Sequence, residues 1–453
     1  MTSEVSGGAV PRFLLPVLFL GVLMGAVDIA IVGPALPAIG RSFAVDEAAL
    51  SWVFSIFTLF AVISAVPLAR LSDRFGRRRL YVACLGIFTF GSLLVAVAPG
   101  FGWLLGARAV QAIGAGGIFP VASAVIGDVV PAERRGRALG MIGAVFGLAF
   151  LLGPVLGGLL LPFGWRSLFY VNLLPGLVLM FCAARVMPQS RHGSRDAVDW
   201  LGMLLLAAVL AGAALAFNRI STAMNGGWSN WLPVVVPLGV AALLAALLSA
   251  VERRASAPVV PLQMLASSQF RLIGAIALVA GVTEAGMVFL PAVAVEAFAV
   301  SEAQAAWMMA PLVVALAVVA PLAGIAVDRW SAPLVIRAGL IILAAGTVTF
   351  AVPPLTLTRF YVAGLLVGGG LAALLGAPLR HAALAATPAG HRATGQGLMS
   401  LALHAGQIVG AAAIGALLAA APLGQAGFRD AMFMLSALVV AAALVSARLQ
   451  ARS

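Results

Sequence analysis

The chain has 453 residues, of which 63% are apolar and only 9% charged, and its mean hydropathy is +1.12. Soluble domains carry charge on about a quarter of their residues, so a water-soluble fold is excluded and a polytopic membrane protein is implied. The formal charge of +12 would point to nucleic acid in a soluble chain, but here all 27 basic residues are arginines set in short turns between apolar runs, a pattern of membrane topology and anionic-lipid contact.

The first apolar run, from Phe13 to about Pro37, exceeds the apolar region of a cleavable signal peptide and reads as a retained first helix. With about 20 largely apolar residues per crossing, spans are predicted at 13–36, 49–69, 79–98, 102–126, 137–161, 167–187, 200–218, 231–251, 272–295, 303–326, 333–352, 359–380, 395–420 and 428–448. All fourteen are helices, because backbone groups in lipid must be satisfied within their own segment and no alternating barrel strands occur. An even number of crossings puts both termini on one side. A cytoplasmic N-terminus leaves only Arg41, Arg166, Arg219, Arg359 and Arg429 outside, places Arg108 within a helix, and puts every other arginine, Arg380 included, inside. Trp52, Trp103, Trp165, Trp228 and Trp231 fall near the predicted interfaces. Cys84 and Cys182 each lie in an apolar run without flanking ligands, which predicts neither a disulfide nor a metal site.

The densest charge lies at Ala69-Arg70-Leu71-Ser72-Asp73-Arg74-Phe75-Gly76-Arg77-Arg78-Arg79, a turn that must sit in water because a charge at the bilayer centre costs a few kcal/mol or more. Gly324-Ile325-Ala326-Val327-Asp328-Arg329-Trp330 echoes it through a shared Asp-Arg-aromatic core, and both follow the second helix of a six-helix block. Two parallel halves are implied, at residues 1–187 and 259–453, with residues 188–258 carrying an inserted helix pair. Halves of this kind are what rocking transporters use, with the substrate site between them near the midplane.

These motifs resemble those of the major facilitator superfamily, and within it the fourteen-helix drug:proton antiporters. The charged turn is similar to the signature Gly-x-Leu-x-Asp-Arg-x-Gly-Arg-[Arg/Lys] at Leu71, Asp73, Arg74, Gly76, Arg77 and Arg78, with Ala69 in place of the first glycine. Arg108-Ala109-Val110-Gln111-Ala112-Ile113-Gly114 resembles the pattern of helix four. Gly153-Pro154-Val155-Leu156-Gly157-Gly158, with Gly140 before it, resembles the antiporter motif of helix five, where Ala149 replaces another glycine. Trp165 to Asn172, Asp199-Trp200-Leu201-Gly202, and Asp28 with Gly33-Pro34-Ala35-Leu36-Pro37 are similar to further stretches of that group, the last with Gly33 where asparagine is common.

The resemblance implies a two-bundle, all-α fold in a bacterial-type inner membrane. It also implies a proton-coupled exporter of amphipathic or cationic drug-like compounds working by alternating access as a monomer, with protons and membrane lipids as the other partners. No cofactor is expected, the proton gradient being the energy source, and no metal.

Residue by residue, Asp73, Arg74, Gly76, Arg77, Asp128, Glu133, Asp328 and Arg329 are candidates for an inner gate. Asp73 can face a helix N-terminus, and Arg74 or Arg77 can bridge to Asp128 or Glu133. Gly153, Pro154, Gly157 and Gly158 strip one helix face of side chains, giving a flexible seam or simply close packing. Asp28, Arg108 and Glu284 are ionisable groups inside spans and the candidates for proton and substrate coupling, Glu284 first. Arg108 can pair with Asp28 or with backbone. Gln111, Asn172, His404 and Gln407 are candidate polar groups of a cavity, although a lone helix histidine such as His404 is more often simply hydrogen-bonded in place, and Met308, Met309 and Phe289 either line that cavity or, more commonly for such residues, pack in the core or against lipid.

No Gly-x4-Gly-Lys loop occurs, which argues against ATP-driven transport. No His-Glu-x-x-His, Gly-x-Ser-x-Gly or Asp/His cluster marks a catalytic site, which argues against an enzyme. Export of a lipid or an endogenous metabolite stays open beside drug export, and a non-transporting sensor or scaffold is the reading from a different class.

Overall fold

A computed structural model describes residues 11–45, 47–188, 199–218, 231–255, 262–420 and 425–450, and among them every regular element is helical. In chain order the long helices are α1 (Leu14–Phe43), α2 (Glu47–Phe75), α3 (Arg77–Ala96), α4 (Phe101–Val129), α5 (Arg135–Leu160), α6 (Leu173–Val186, after a single turn Ser167–Tyr170), α7 (Trp200–Asn218) and α8 (Leu232–Glu252). They continue with α9 (Ser268–Met287), α10 (Ala310–Arg329), α11 (Ala332–Ala351), α12 (Leu357–Leu375), α13 (Arg392–Ala420) and α14 (Gln425–Ser446).

By length and composition, eleven helices among the described residues can cross a membrane. Trp200–Ala213 of α7 is a shorter apolar stretch, and α5 and α13 contain side chains outside the described set.

Helices α1–α6 and α9–α14 enclose separate apolar cores, the first built on residues such as Leu18, Ile31, Phe57, Phe88 and Phe169, the second on Ile276, Leu340, Phe360, Ile414 and Leu435. With lipid outside, such cores gain their specificity from close packing rather than from a hydrophobic driving force. Helices α4 and α12 are the most enclosed, with 72% and 78% of their apolar windows buried, whereas α8 buries 17% and turns Leu232, Val235, Leu243 and Leu247 outward. The inserted pair α7–α8 therefore lies at the periphery. Met203, Leu205 and Leu206 of α7 pack with Val66 of α2 and Leu398 of α13, so the pair covers a seam between the halves.

Several predicted boundaries move. The charged stretch at 69–79 is not a loop: α2 continues to Phe75 and α3 starts at Arg77, with Gly76 alone between them at φ 98°. A side chain there would be strained, which explains the glycine. The span expected at 272–295 breaks after Met287 and resumes as Leu290–Phe298 with Pro291 in its first turn. The span expected at 359–380 ends at Leu375 and is followed by a separate short helix, Pro378–Ala385. In both places a proline supplies a backbone without a donor at a helix start, where none is needed.

Candidate functional site

At the arginine-rich end, the carboxylates of the two echoing motifs each reach across to the opposite half. Asp73, at the end of α2, accepts hydrogen bonds from the backbone N–H groups of Ala393 (3.2 Å) and Thr394 (2.9 Å) and from the Thr394 hydroxyl (2.5 Å). Asp328, at the end of α10, accepts from the N–H groups of Gly136 (2.6 Å) and Arg137 (2.7 Å) in the first turn of α5. First-turn amides have no intrahelical acceptor and sit at the positive end of the helix dipole, so a carboxylate from another helix satisfies both demands.

The Asp73 side extends into a ring. Arg77 bonds Asp73 and, at 2.9 Å, Asp128 at the end of α4, while Arg392 at the start of α13 bonds the other Asp128 oxygen at 2.9 Å and the Gly127 carbonyl at 2.5 Å. Alongside, Arg70 and His391 meet at 2.9 Å. The structure does not bring all the gate candidates into this ring. Arg74 stacks on Phe75 instead, at 5.3 Å, and Glu133 and Arg329 are exposed and make no ion pair among the described residues. The echo motif has Ala332 four residues after its aspartate, where the first motif has Arg77, so among the described residues Asp328 acts without an ion-pair ring.

Asp73→Asn is expected to shift the open-to-closed ratio of this end by roughly 5- to 30-fold, equivalent to about 1–2 kcal/mol lost from a charge-assisted cap. Electron-resonance distances between spin labels on the arginine-rich ends of α4 and α13 would record it.

Between the halves, α5 and α10 approach at backbone distance. A Cβ added to Gly140 or Gly324 would meet the other helix's backbone, one added to Gly136 would meet Asp328 and the Gly324 carbonyl, and one added to Gly147 would meet Ala317. Gly143 faces Gly376 in the same way. Gly136, Gly140, Gly143 and Gly147 recur at alternating spacings of four and three, one face of a helix, and that period is the sequence signal for the seam. Of the motif glycines, Gly153 packs on Ala30 of α1 within one half and Gly158 faces open space; Gly157 is buried. The Pro154 side chain lies outside the described set.

Midway along the first half, Asp28 of α1 is fully buried in a hydrogen-bonded network in which Arg108 Nη2 alone of the guanidinium nitrogens has no hydrogen-bond partner. Its carboxylate accepts from Arg108 Nη1 (2.6 Å), Gln111 Nε2 (2.8 Å) and Asn172 Nδ2 (2.9 Å). Gln111 in turn accepts from Arg108 (2.6 Å) and donates to Ser92 Oγ (2.8 Å). The Arg108 guanidinium lies 4.2 Å from the Phe57 ring centre and 5.8 Å from that of Phe169. Buried charges persist only when paired and hydrogen-bonded, and this pair is both. Gly91 lets α3 approach α4 at Gln111, since a Cβ there would fall on the Gln111 backbone.

In the second half the groups are more sparsely bonded. Glu284 of α9, only partly enclosed, accepts one hydrogen bond from Gln407 Nε2 of α13 at 2.9 Å and has no basic partner among the described residues. His404 donates Nδ1–H to the Ser400 carbonyl at 2.7 Å, a local helix bond. The candidates thus form two groups, Asp28 with Arg108, Gln111 and Asn172, and Glu284 with Gln407.

One topology assignment is corrected. Arg380, expected in an inner aqueous segment, is 3% exposed and stacks on Phe119 of α4, 3.5 Å from its ring centre. The break of α12 after Leu375 carries the short helix Pro378–Ala385 into contact with the first half, where Ala377 and Leu384 join its core. A hydropathy window that places a helix end near 380 cannot see this turn inward.

Comparison with known proteins agrees with this geometry. The profile of the Major Facilitator Superfamily matches residues 18–262 and 272–452. The multidrug resistance protein Stp of Mycobacterium tuberculosis is 33% identical over 407 residues, covering 88% of this chain and 74% of its own. An uncharacterized MFS-type transporter, YfiU, of Bacillus subtilis is 32% identical over 378 residues, covering 81% and 72%. Among solved structures, the human organic anion transporter MFSD10 (TETRAN) superposes with a TM-score of 0.68 at 17% identity, over 96% of this chain and 99% of the other, which establishes a shared fold. With paired bundles, echoing charged motifs and a profile match over nearly the whole length, the chain belongs to the Major Facilitator Superfamily of transporters.

Proposed function

We propose that the protein is a proton-coupled antiporter that exports amphipathic, drug-like compounds across a bacterial inner membrane. In this reading the chain crosses fourteen times, both termini are cytoplasmic, and the arginine-rich end is the inner gate. The observation that carries it is the contrast between two carboxylates at mid-membrane depth. Asp28 is paired with Arg108 and accepts from two amide side chains as well, whereas Glu284 has one neutral donor and, among the described residues, no counter-charge. Glu284 is therefore the carboxylate that can take a proton from the outer side and lose it when its surroundings change on rocking. The Arg108–Asp28 ion pair braces the first half as the wall against which substrate and Glu284 compete.

In this reading the contacts of Asp73, Asp128 and Asp328 hold the inner end closed. Resistance-associated relatives such as Stp support a drug-like cargo. The test uses purified protein in liposomes with rhodamine 6G as substrate. An imposed pH gradient should drive dye movement in the wild type. Glu284→Gln should reduce gradient-driven movement at least tenfold while leaving dye counterflow in place, because exchange without net proton transfer needs no titratable group. If the gradient moves no dye, or Glu284→Gln moves it as well as wild type, proton antiport through Glu284 is wrong.

A further inference from the structure

Arg380 is the basic residue that the mechanism above leaves unused. It is buried at the contact between the halves, and among the described residues it has no carboxylate partner. Its Nη1 makes one long hydrogen bond to Gln396 Oε1 (3.4 Å), while Gln396 Nε2 returns a bond to the Arg380 carbonyl (2.9 Å), and Nε has no hydrogen-bond partner. The flat face of the guanidinium lies on Phe119, which belongs to the opposite half. A guanidinium presents a fork of donors suited to a carboxylate, and one buried with donors unsatisfied is costly unless an anion meets it during the working cycle.

The geometry also gives a reason for the anion to come and go. Arg380 travels with α12 and Gln396 travels with α13, whereas Phe119 travels with α4, so rocking of the halves at the inner gate must separate the ring from the guanidinium. With Phe119 withdrawn, the face of the guanidinium and its unpartnered Nε would be open to a ligand. When the inner end closes, Phe119 returns to the guanidinium face and takes the place of whatever flat group lay there.

We propose that Arg380 is an anion-recognition site for substrate, binding the carboxylate of an amphipathic organic acid whose flat apolar body occupies the place of Phe119. This rests on the export reading and narrows its substrate class, away from purely cationic compounds. The exchange of substrate for Phe119 makes the site strong when open to the inside and weak when open to the outside, which is the asymmetry an exporter needs.

The experiment compares two xanthene dyes, fluorescein, which carries a free carboxylate, and rhodamine 6G, in which that carboxyl is esterified. Equilibrium binding by fluorescence anisotropy to purified protein in phosphatidylcholine nanodiscs needs no gradient, so its result is independent of proton coupling through Glu284. Arg380→Gln should weaken fluorescein binding at least tenfold and change rhodamine 6G binding less than threefold, and Arg380→Lys should recover part of the loss. Phe119→Ala, which uncovers the guanidinium from the other half, should tighten fluorescein binding at least threefold without a matching change for rhodamine 6G. It decides the matter even if Arg380→Gln fails to give a monodisperse protein. The proposal is overturned if wild-type protein does not bind fluorescein, if Arg380→Gln weakens both dyes equally, or if Phe119→Ala leaves fluorescein affinity unchanged.

Discussion

Arg108→Ala is expected to destabilise the protein by about 3–5 kcal/mol, the usual cost of stranding one member of a buried ion pair, and to abolish transport. The size follows from the surroundings of Asp28. Its carboxylate is fully buried, and without Arg108 only the neutral donors Gln111 and Asn172 would remain on it. Gln111 would lose a partner too, since its amide oxygen accepts from the same guanidinium nitrogen. The charge would also leave the faces of Phe57 and Phe169.

Thermal unfolding of the purified protein in nanodiscs would measure the loss. The double variant Asp28→Asn, Arg108→Gln separates stability from function. It removes both charges while keeping hydrogen-bonding groups, so it should recover more than half of the lost stability. Its transport should stay below a tenth of wild type, because the fixed charge pair is gone. Full recovery of pH-driven transport by the double variant would show that the pair is a structural element alone.

Gly324→Val is the second large effect. The Cβ of any residue at this position would fall on the Gly136 carbonyl and the Gly140 backbone, where two helices touch without side chains between them. No rotamer relieves a clash with backbone, so α5 and α10 must separate, and with them the Asp328 carboxylate must leave the amides of Gly136 and Arg137. The substitution therefore attacks the closed inner end at its packing and its electrostatics together, while the interior of each half stays untouched. Transport should fall at least tenfold with little change in unfolding temperature.

The conformational shift can be read directly in a background with Cys84 and Cys182 replaced by Ala and Ala69→Cys added. Ala69 is fully buried in the seam against Gly397, so a membrane-impermeant maleimide should leave it unlabelled in the otherwise wild-type protein and label it from the inner side in Gly324→Val. Unchanged labelling would mean that the α5–α10 seam does not control the gate.

The two large effects arise from different layers of information. Asp28 and Arg108 stand out in the sequence because an ionisable residue inside an apolar span is rare and needs a partner, and the number of available partners is small. Their meeting was one of two options for Arg108, and the bonding of Asp28 by Arg108, Gln111 and Asn172, with Ser92 behind the two amides, depends on several helices arriving at one point. Gly76 was legible as part of a motif, but its reason became plain only with its backbone angle. The gate carboxylates were legible as candidates, whereas Arg74, Glu133 and Arg329 carry the same charges at neighbouring positions and do not take part. One residue along a helix turns a side chain by about 100°, and residue type does not say which of two adjacent arginines faces the ring.

By itself the sequence determined that the chain lives in a membrane, that it is helical, that most of its arginines fall in alternate turns between the apolar runs, and that two halves carry echoing charged motifs. These follow from the free energy of burying apolar or charged groups in lipid, which acts on each segment independently of the others. Only the tertiary structure decided which helices touch across the halves. It placed Gly136, Gly140, Gly143 and Gly147 at the close contact between the halves, left Glu284 without a counter-charge among the described residues, and buried Arg380, expected in an inner aqueous segment, against Phe119. Those outcomes depend on contacts between residues hundreds of positions apart, where close packing selects one arrangement among many that the same hydropathy would allow.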